Sequence, residues 1–517
     1  MSKLSSLISL IHSLTKSERK KVSSFLNMDK NTADYAILYK VIDEKSTDNQ
    51  QQIKTEFIKL RPNAAFNTAI NYLFDNLLLI LNQLRINQDS YYALFNLLMN
   101  TKVLYEKSLY QECFLLLTKI QNEAVKYENF TILLIAQKME LDYLLSLDFP
   151  DTTEQELLNK QYKINETLKK IRKINEHASL YELLKHRILH KGPVRSNKQK
   201  QEMNDLVVSE MSIVSSSGFE NFEIQKNHKL FQSNYLINVG DYKSAIFSFY
   251  ELNILFEENR HLFTNPPVYY LMTIEGVLET LRRLKNYEDM ASFVEKLKNL
   301  DSTFVHFNLQ VKCVVFLYSV FPFIDTGQFS KAREVLNQYE HELHGKMNQL
   351  FLDRQIQLFL YTSIVYFGLS DYANAKKIIN KVVVAKKNVF SVSMVRTIRL
   401  INLMIRYELE EFDYIEPEIR LIRREIQNSK HNYRTEKMVL KVIQKSYDNL
   451  SSTARQEEWE KAVLKIESLK NDKFEMQLIN TFDFTAWVEA KIKNVPLGKI
   501  LQEKHATPSI LSQSFYQ

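Results

Sequence analysis

Two pairs of histidines are the residues of this sequence that most resemble a catalytic metal motif. His341 and His344 lie in the segment HELH, and His186 and His190 lie in the segment HRILH. A zinc protease of the His-Glu-x-x-His type needs histidines four residues apart, with a glutamate directly after the first. The first pair has the wrong spacing, and the second has Arg187 where that glutamate would stand. Since neither pair has an identifiable third ligand, the sequence predicts no metal site and no bound cofactor.

The two cysteines, Cys113 and Cys313, are far apart, and each lies within an apolar helical run. A nucleophilic thiol needs an electropositive and exposed setting, so this context favours packing over catalysis. Two isolated cysteines form no disulfide framework, which indicates a reducing compartment. The chain has 8 glycines, where an average usage of roughly 7% would give about 36. It contains neither a Gly-rich phosphate loop nor a Gly-x-Ser-x-Gly nucleophile motif. The sequence therefore predicts that the protein is not an enzyme.

Basic residues are concentrated in two tracts, 185–200 and 416–445. The formal net charge of +7 is a mild bias for 517 residues, so it does not by itself indicate a nucleic-acid-binding protein. Lysines and arginines in either tract could follow a phosphate backbone. Charge runs of mixed sign are also usual on solvated helix faces, and neither tract interleaves aromatic platforms for single-stranded nucleic acid. Both interpretations stay open, and the solvated face is the simpler one.

The elements that must position these residues are helices, because apolar residues recur with the helical period along the chain. The first stripe consists of Leu4, Leu7, Ile8, Ile11 and Leu14. This segment has no continuous apolar core followed by a cleavage site, as a signal peptide would have. The chain also has no uninterrupted apolar run of about 18 residues, the length expected of a membrane span. We therefore expect a cytoplasmic protein without a membrane span.

One pattern recurs at intervals of 40 to 47 residues between positions 242 and 459. An aromatic residue is followed three positions later by a smaller or aliphatic one, and then by apolar residues at positions seven and ten. The first two members of each copy are Tyr242 and Ala245, Tyr287 and Met290, Phe329 and Ala332, Tyr372 and Ala375, Phe412 and Ile415, and Trp459 and Ala462. An outlying copy lies upstream at Tyr110 and Cys113. Such a period predicts helical hairpins stacked into an all-α solenoid, with the ring filling the bend and the small residue allowing close helix contact.

Helix ends are marked by residues with special backbone or capping properties. Thr15 and Glu18 form a capping box at the start of a helix. Gly240 and Gly327 are predicted to end the first helix of their hairpins in a left-handed conformation. Asp241 is then predicted to cap the second helix.

The segments GDYKSAIFSFYEL and GQFSKAREVLNQY resemble the tetratricopeptide repeat family. The resemblance covers roughly residues 100–130 and 225–475. The family's own repeat is shorter and carries an early Trp-Leu-Gly element that is missing here, so the chain is described as TPR-like. The segments SLTKSERKKVSSF, LYEKSLYQECFLLLTKIQNEAVKYENF and FDFTAWVEAKI also resemble a group of bacterial helical-repeat proteins. That second resemblance implies architecture and no particular activity.

Four regions are predicted along the chain. Residues 1–190 form an N-terminal region of long helices with one TPR-like hairpin near 100–130, and residues 191–219 form a linker rich in breakers and polar residues. The repeat array follows at 220–475, and residues 476–517 form a C-terminal cap and tail. The predicted cap uses Phe482, Phe484 and Trp487 to cover the apolar face of the last hairpin.

The TPR resemblance implies that the first helix of each hairpin lines a concave, partner-binding face. Mapped from the predicted turns, that face carries Asn234, Asn238, Glu275, Glu279, Arg282 and Arg283. Asparagines can bind the backbone of an extended peptide, and charges can set its register. The sequence therefore predicts a non-enzymatic scaffold that binds a protein or peptide. The alternative is a peptide- or effector-sensing regulator that contacts nucleic acid through its basic helices.

Overall fold

All regular structure in the described part of the chain is helical, which confirms the predicted all-α class. The computed structural model describes residues 2–26, 33–45, 49–192, 194, 196–216, 221–384, 392–428, 434–447, 457, 460, 461, 465, 466, 468, 469 and 472–506. The predicted repeat residues Trp459 and Ala462 lie outside these residues, as do Arg195 and Lys430 of the basic tracts and the tail from position 507.

The chain divides into two units, which are described separately. The first unit contains Met1–Arg172 and Ser302–His306, and the second contains Lys173–Asp301 and Phe307–Gln517. Helices of the first unit are α1 (Lys3–Ser13), α2 (Lys16–Phe25), α3 (Asp34–Lys45), α4 (Gln50–Leu60), α5 (Phe66–Ile86), α6 (Ser90–Glu106), α7 (Tyr110–Lys126), α8 (Phe130–Ser146) and the first half of α9 (Glu154–Lys191).

The N-terminal helices α1 to α5 share one apolar core. The first predicted stripe lies within it: Leu7 and Ile11 are fully buried, together with Phe57 of α4 and Leu73 of α5. The predicted capping box at the start of α2 is confirmed. The Thr15 side chain accepts from the Glu18 backbone N–H, and the Glu18 carboxylate accepts from the Thr15 N–H at 2.8 Å.

The second unit continues with helix after helix, and successive helices pack against one another. They are α10 (Asn197–Gln201), α11 (Asn204–Ser216), α12 (Phe222–Asn238), α13 (Tyr242–Glu258), α14 (Val268–Arg283), α15 (Tyr287–Lys298), α16 (Val305–Asp325), α17 (Phe329–Gly345), α18 (Leu352–Gly368), α19 (Tyr372–Val384), α20 (Val392–Glu408), α21 (Phe412–Asn428), α22 (Arg434–Tyr447), α23 (Lys473–Ile479), α24 (Phe484–Lys493) and α25 (Leu497–Ala506). This sequential packing of hairpins is the predicted α-solenoid.

One backbone geometry recurs where the hairpins turn. The backbone N–H that follows a left-handed residue donates to the carbonyl five residues earlier, as Asp241 does to Leu236 at 3.0 Å. This is the Schellman motif that ends many helices. In the six described hairpins that carry the repeat aromatic, the left-handed residues are Ser108, Gly240, Lys285, Gly327, Ser370 and Glu410. The predictions for Gly240 and Gly327 are confirmed, and four further turns adopt the same conformation without glycine.

The aromatic residues of the repeat pattern begin the second helix of each hairpin. Tyr110, Tyr242, Tyr287, Phe329, Tyr372 and Phe412 are the first residues of α7, α13, α15, α17, α19 and α21. The small residues that follow at the third position are fully buried, as predicted: Cys113, Ala245, Ala332 and Ala375. The predicted Asp241 cap is also confirmed, because its carboxylate accepts from the Ser244 N–H at 3.1 Å.

Not every ring fills its bend. Phe329 is buried, whereas Tyr242, Tyr287 and Tyr372 are half-buried and Tyr110 is 36% exposed. The expectation of a plug is therefore wrong for Tyr110, which lies against the preceding helix with its ring centroid 5.5 Å from that of Tyr105. Two of these tyrosines have a partner for the hydroxyl, since Tyr287 donates to Asp325 and Tyr110 donates to Ser108, each at 3.4 Å.

Two glycines on first helices receive rings from the preceding hairpin. A Cβ atom on Gly368 of α18 would lie 2.2 Å from the Phe329 ring, and one on Gly276 of α14 would lie 2.1 Å from the Phe249 ring. Only a residue without a side chain allows the two helices to approach this closely. Both glycines therefore set the spacing between successive hairpins.

The interval 191–219, predicted as a linker, contains the short helix α10 and the helix α11. Met203 and Leu206 are buried there, so this segment is packed along part of its length. Within the described residues, α16 is the one helix that is long and apolar enough to cross a membrane, and 72% of its most apolar window is buried inside the protein.

Candidate functional site

The four charged residues predicted to face a partner lie on α14. They form ion pairs within α14 and with the first helices of the next two hairpins. Arg282 donates two hydrogen bonds of 2.8 Å to the Asp325 carboxylate of α16. Its guanidinium carbon also lies 3.7 Å from the centroid of the Phe321 ring. Arg282 is 3% exposed, and the neighbouring negative charges of Asp325 outweigh burial and raise its pKa well above the usual value.

Two further ion pairs complete this network. Glu275 accepts two hydrogen bonds of 2.5 Å from Arg354 of α18. This ion pair joins two hairpins that are separated in sequence by the hairpin α16–α17. Glu279 accepts from Arg283 at 2.7 Å and from the Tyr318 hydroxyl of α16 at 3.2 Å. Burial alone would raise the pKa of Glu279, but the adjacent arginines outweigh it and lower that pKa.

These positions correct the expectation of an open, partner-facing surface. Asn238 is 5% exposed and, like Arg282, lies in the interior. Asn234 is half-buried, and its side chain donates to the Leu230 carbonyl of its own helix at 2.8 Å. The sequence indicated the charges on α14 but not their partners Asp325 and Arg354, which lie on helices one and two hairpins away. Binding of a partner by these six residues stays a prediction.

The C-terminal helices lie across the ends of the first helices. The Gln477 amide of α23 donates to the Asn238 carbonyl at 3.2 Å, and Arg283 donates to the Gln477 carbonyl at 3.1 Å. Gly498 of α25 contacts Gly327 at the turn after α16. The predicted cap residues Phe482, Phe484 and Trp487 are buried. These cap residues contact more than one hairpin. The Phe482 ring packs edge-to-face against Phe367 of α18, and the Trp487 indole donates to Glu408 of α20 at 2.7 Å.

The histidine pairs noted in the sequence lie apart from other metal-ligating side chains of the described residues. His186 and His190 are exposed, and Arg187 between them makes a bidentate ion pair with Asp205. His341 is exposed, whereas burial lowers the pKa of half-buried His344. No cluster of metal ligands within the described ranges includes any of these four histidines.

Both thiols are buried, as their apolar contexts suggested. Burial raises the pKa of Cys113, and it raises the pKa of Cys313 to about 12. A thiol is a weak nucleophile in its protonated form. Neither cysteine therefore has the environment of a catalytic residue.

A cluster that the sequence analysis missed lies where α9, α11 and α12 meet. His177, Glu210 and His228 each offer a ligand atom, and these atoms lie within 4.8 Å of one another. The His177 Nδ1 atom is 3.7 Å from the Glu210 Oε1 atom, and His228 is hydrogen-bonded to the same oxygen. Burial would raise the pKa of Glu210, but the two neighbouring histidines outweigh it and lower that pKa. The three residues are separated by 33 and 18 positions in the sequence, which fits no local metal-binding motif. Sequence reasoning therefore had no signal by which to group them.

The first unit carries an apolar surface that no described element covers. Tyr92, Phe95, Met99 and Val103 lie on one side of α6 and are all exposed; Met99 is 63% and Val103 53% exposed. We call these four residues the α6 stripe. Their spacing of three or four residues puts them in a row about 17 Å long, given a rise of 1.5 Å per residue. The opposite side of α6, with Leu94 and Leu98, is buried.

No protein-family model matches this chain, and no curated protein matches it with significant similarity. Function must therefore be argued from the residues themselves. Among the described residues, the α6 stripe and the cluster of His177, Glu210 and His228 are two features whose chemistry could bind a partner or an ion.

Proposed function

We propose that the protein is a non-enzymatic scaffold that binds an amphipathic helix of a protein partner along the α6 stripe. The exposure of Tyr92, Phe95, Met99 and Val103 in one row carries this proposal. Single exposed apolar residues are ordinary, whereas a continuous apolar row with aromatic residues is characteristic of interaction surfaces.

The shape of the stripe favours a helical partner. It follows a single helix, and its apolar positions repeat every three or four residues, which is the pattern that a second helix complements. Strand addition needs an exposed sheet edge, and the described residues contain no strand. Tyr92 and Phe95 are rigid anchors of the kind that dominate binding energy, and Met99 adapts its shape to a partner.

The alternative, a regulator that binds nucleic acid, has less support. In the basic tract 185–200, Arg187 is paired with Asp205, and in the tract 416–445, Arg420 is paired with Glu416. The carboxylate partner offsets the positive charge of each arginine, so the pair attracts phosphates less strongly than an unpaired arginine would. Binding to DNA or RNA that weakens steeply with salt would favour this alternative.

The test combines affinity capture from cell extract with a photo-reactive amino acid at position 99. We expect a crosslink to an apolar helical segment of one partner, and loss of that partner in the Phe95→Ser, Met99→Ser variant. The matched control is Phe351→Ser, which removes a ring of 68% exposure from the second unit. Capture that survives in the stripe variant, or that is lost equally in the control, would contradict the proposal. A wild-type dimer that dissociates in the stripe variant would assign the stripe to self-association instead.

A further inference from the structure

The buried cluster of His177, Glu210 and His228 is independent of the α6 stripe, and its chemistry is that of a metal site. We propose that these three residues bind one divalent transition-metal ion, with zinc as the best-matched element. Two imidazoles and one carboxylate are a donor set that zinc uses in proteins with three protein ligands, and the fourth position is left to water. Imidazole ligands favour zinc and neighbouring transition metals over magnesium or calcium.

The distances suit such an ion. Zinc lies about 2.0–2.2 Å from nitrogen and oxygen ligands, which places neighbouring tetrahedral ligand atoms about 3.4 Å apart. The His177 Nδ1 atom and the Glu210 Oε1 atom are 3.7 Å apart. His228 is hydrogen-bonded to the same carboxylate oxygen. If the carboxylate moved away from His228 until this contact reached the ligand–ligand spacing of about 3.4 Å, an ion would fit between the three donors.

A second observation points to a ligand at the same place. The Oε2 atom of Glu210 is buried and has no hydrogen-bond partner among the described residues. Leaving a carboxylate oxygen buried and unpartnered is unfavourable. An ion bound by both carboxylate oxygens, or a water molecule bound to that ion, would satisfy the Oε2 atom.

The ion would join three helices that are distant in sequence. His177 lies in α9, Glu210 in α11 and His228 in α12, so coordination would fix α11 between its two neighbours. The ligand side chains are 0% to 9% exposed. Such burial fits an ion that stabilises the fold. A metal that binds only to the folded chain raises its free energy of unfolding.

The test uses the full chain, purified without a histidine tag. We expect one zinc per chain by elemental analysis and, after exchange, the visible absorption bands of tetrahedral cobalt. Zinc at a hundredfold excess over its Kd should raise the Tm of the metal-free chain by about 4 °C. Glu210→Gln keeps the shape of the side chain and one acceptor oxygen for the histidines, so it should fold. Its metal affinity should fall by a hundredfold or more, because even residues that only support metal ligands contribute 10–100-fold.

The matched control is the double variant His186→Gln, His190→Gln, which removes the exposed pair on α9 and should bind zinc like the wild type. Metal binding that survives in Glu210→Gln, or that is lost in this control, would overturn the proposal. Absence of both cobalt bands and a zinc-dependent Tm shift in the wild type would also overturn it, and would leave the three residues as a hydrogen-bonded cluster.

Discussion

The hairpins α6–α7 and α18–α19 have the same local structure in different units of the molecule. Each turns through a left-handed serine, Ser108 with φ of 59° and Ser370 with φ of 62°. Each buries a small residue completely three positions into its second helix, Cys113 or Ala375. An aromatic pair also spans each turn, with ring centroids 5.5 Å apart in the first hairpin and 5.4 Å apart in the second.

The two hairpins differ in what covers their first helix. Helix α18 is buried on most of its surface, and Arg354 at its start pairs with Glu275 of α14. Helix α6 buries one side and exposes the α6 stripe. The comparison shows that a short local pattern encodes the hairpin itself. Whether the outer surface of its first helix is buried or exposed depends on the other hairpins around it. An interaction surface is therefore expected where that outer cover is missing.

The largest expected effect tests a buried ion pair between first helices of the second unit. Arg282→Ala removes one partner of a buried ion pair and leaves Asp325 uncompensated, so the free energy of unfolding should fall by about 4 kcal/mol. Urea unfolding followed by circular dichroism measures it. Arg420→Ala, which breaks an exposed pair with Glu416, should change that free energy by less than about 0.5 kcal/mol. Equal losses in the two variants would contradict the distinction between covered and open helices.

A second test concerns the spacing between covered helices. Gly368→Ala forces a Cβ atom against the Phe329 ring and should lower the free energy of unfolding by about 3 kcal/mol. The control Gly345→Ala adds a Cβ with no atom within 4 Å and should be neutral. The double variant Gly368→Ala, Phe329→Leu should recover part of the loss, because the smaller side chain leaves room. A tolerated Gly368→Ala would show that the hairpins are not close-packed here.

A third test uses acid to weaken a contact between hairpins of the second unit. Burial raises the pKa of Glu257, but hydrogen bonds from Tyr270, Arg260 and Lys296 outweigh it and lower that pKa to about 2. Because the folded-state pKa lies below the unfolded value, this stabilisation is complete above pH 4.5 and is lost as the pH falls towards 2.

Glu257→Gln should therefore lower the free energy of unfolding by about 2 kcal/mol at pH 7, on the scale of about 1.4 kcal/mol per pKa unit. The difference from the wild type should shrink between pH 4.5 and pH 2 in urea titrations. Glu295→Gln, at an exposed pair with Lys298, serves as the control. A difference that stays constant over this pH range would contradict the assignment.

The smallest expected effect tests the similarity of the two hairpins. Ser108→Gly and Ser370→Gly each relieve a left-handed residue that carries a side chain, and each should raise the free energy of unfolding by up to about 1 kcal/mol. Thermal unfolding should show the same sign in both hairpins. Gly240→Ala, at a turn of the same type, should have the opposite effect. A gain in only one of the two hairpins would mean that their turns are not equivalent.

The sequence was sufficient for the hairpins because their signal is local. The start of each second helix at the repeat aromatic and the burial of Ala245, Ala332 and Ala375 follow from helical periodicity. The left-handed turns at Lys285 and Glu410 were missed because glycine is the signal for that conformation. The partners of Arg282 and Glu275 and the cluster of His177, Glu210 and His228 were missed because contacts between distant helices leave no fixed spacing in one sequence.

The contact between Gln477 and the end of α12 has a consequence for how the chain reaches its native state. The two partners are 239 positions apart in sequence. In a simple repeat array each hairpin depends only on its neighbours, so folding spreads stepwise from any point. Here the end of α12 is completed only after α23 has emerged from the ribosome, and contacts of such sequence separation slow folding. The end of α12 therefore lacks this partner until nearly all of the chain has been synthesised.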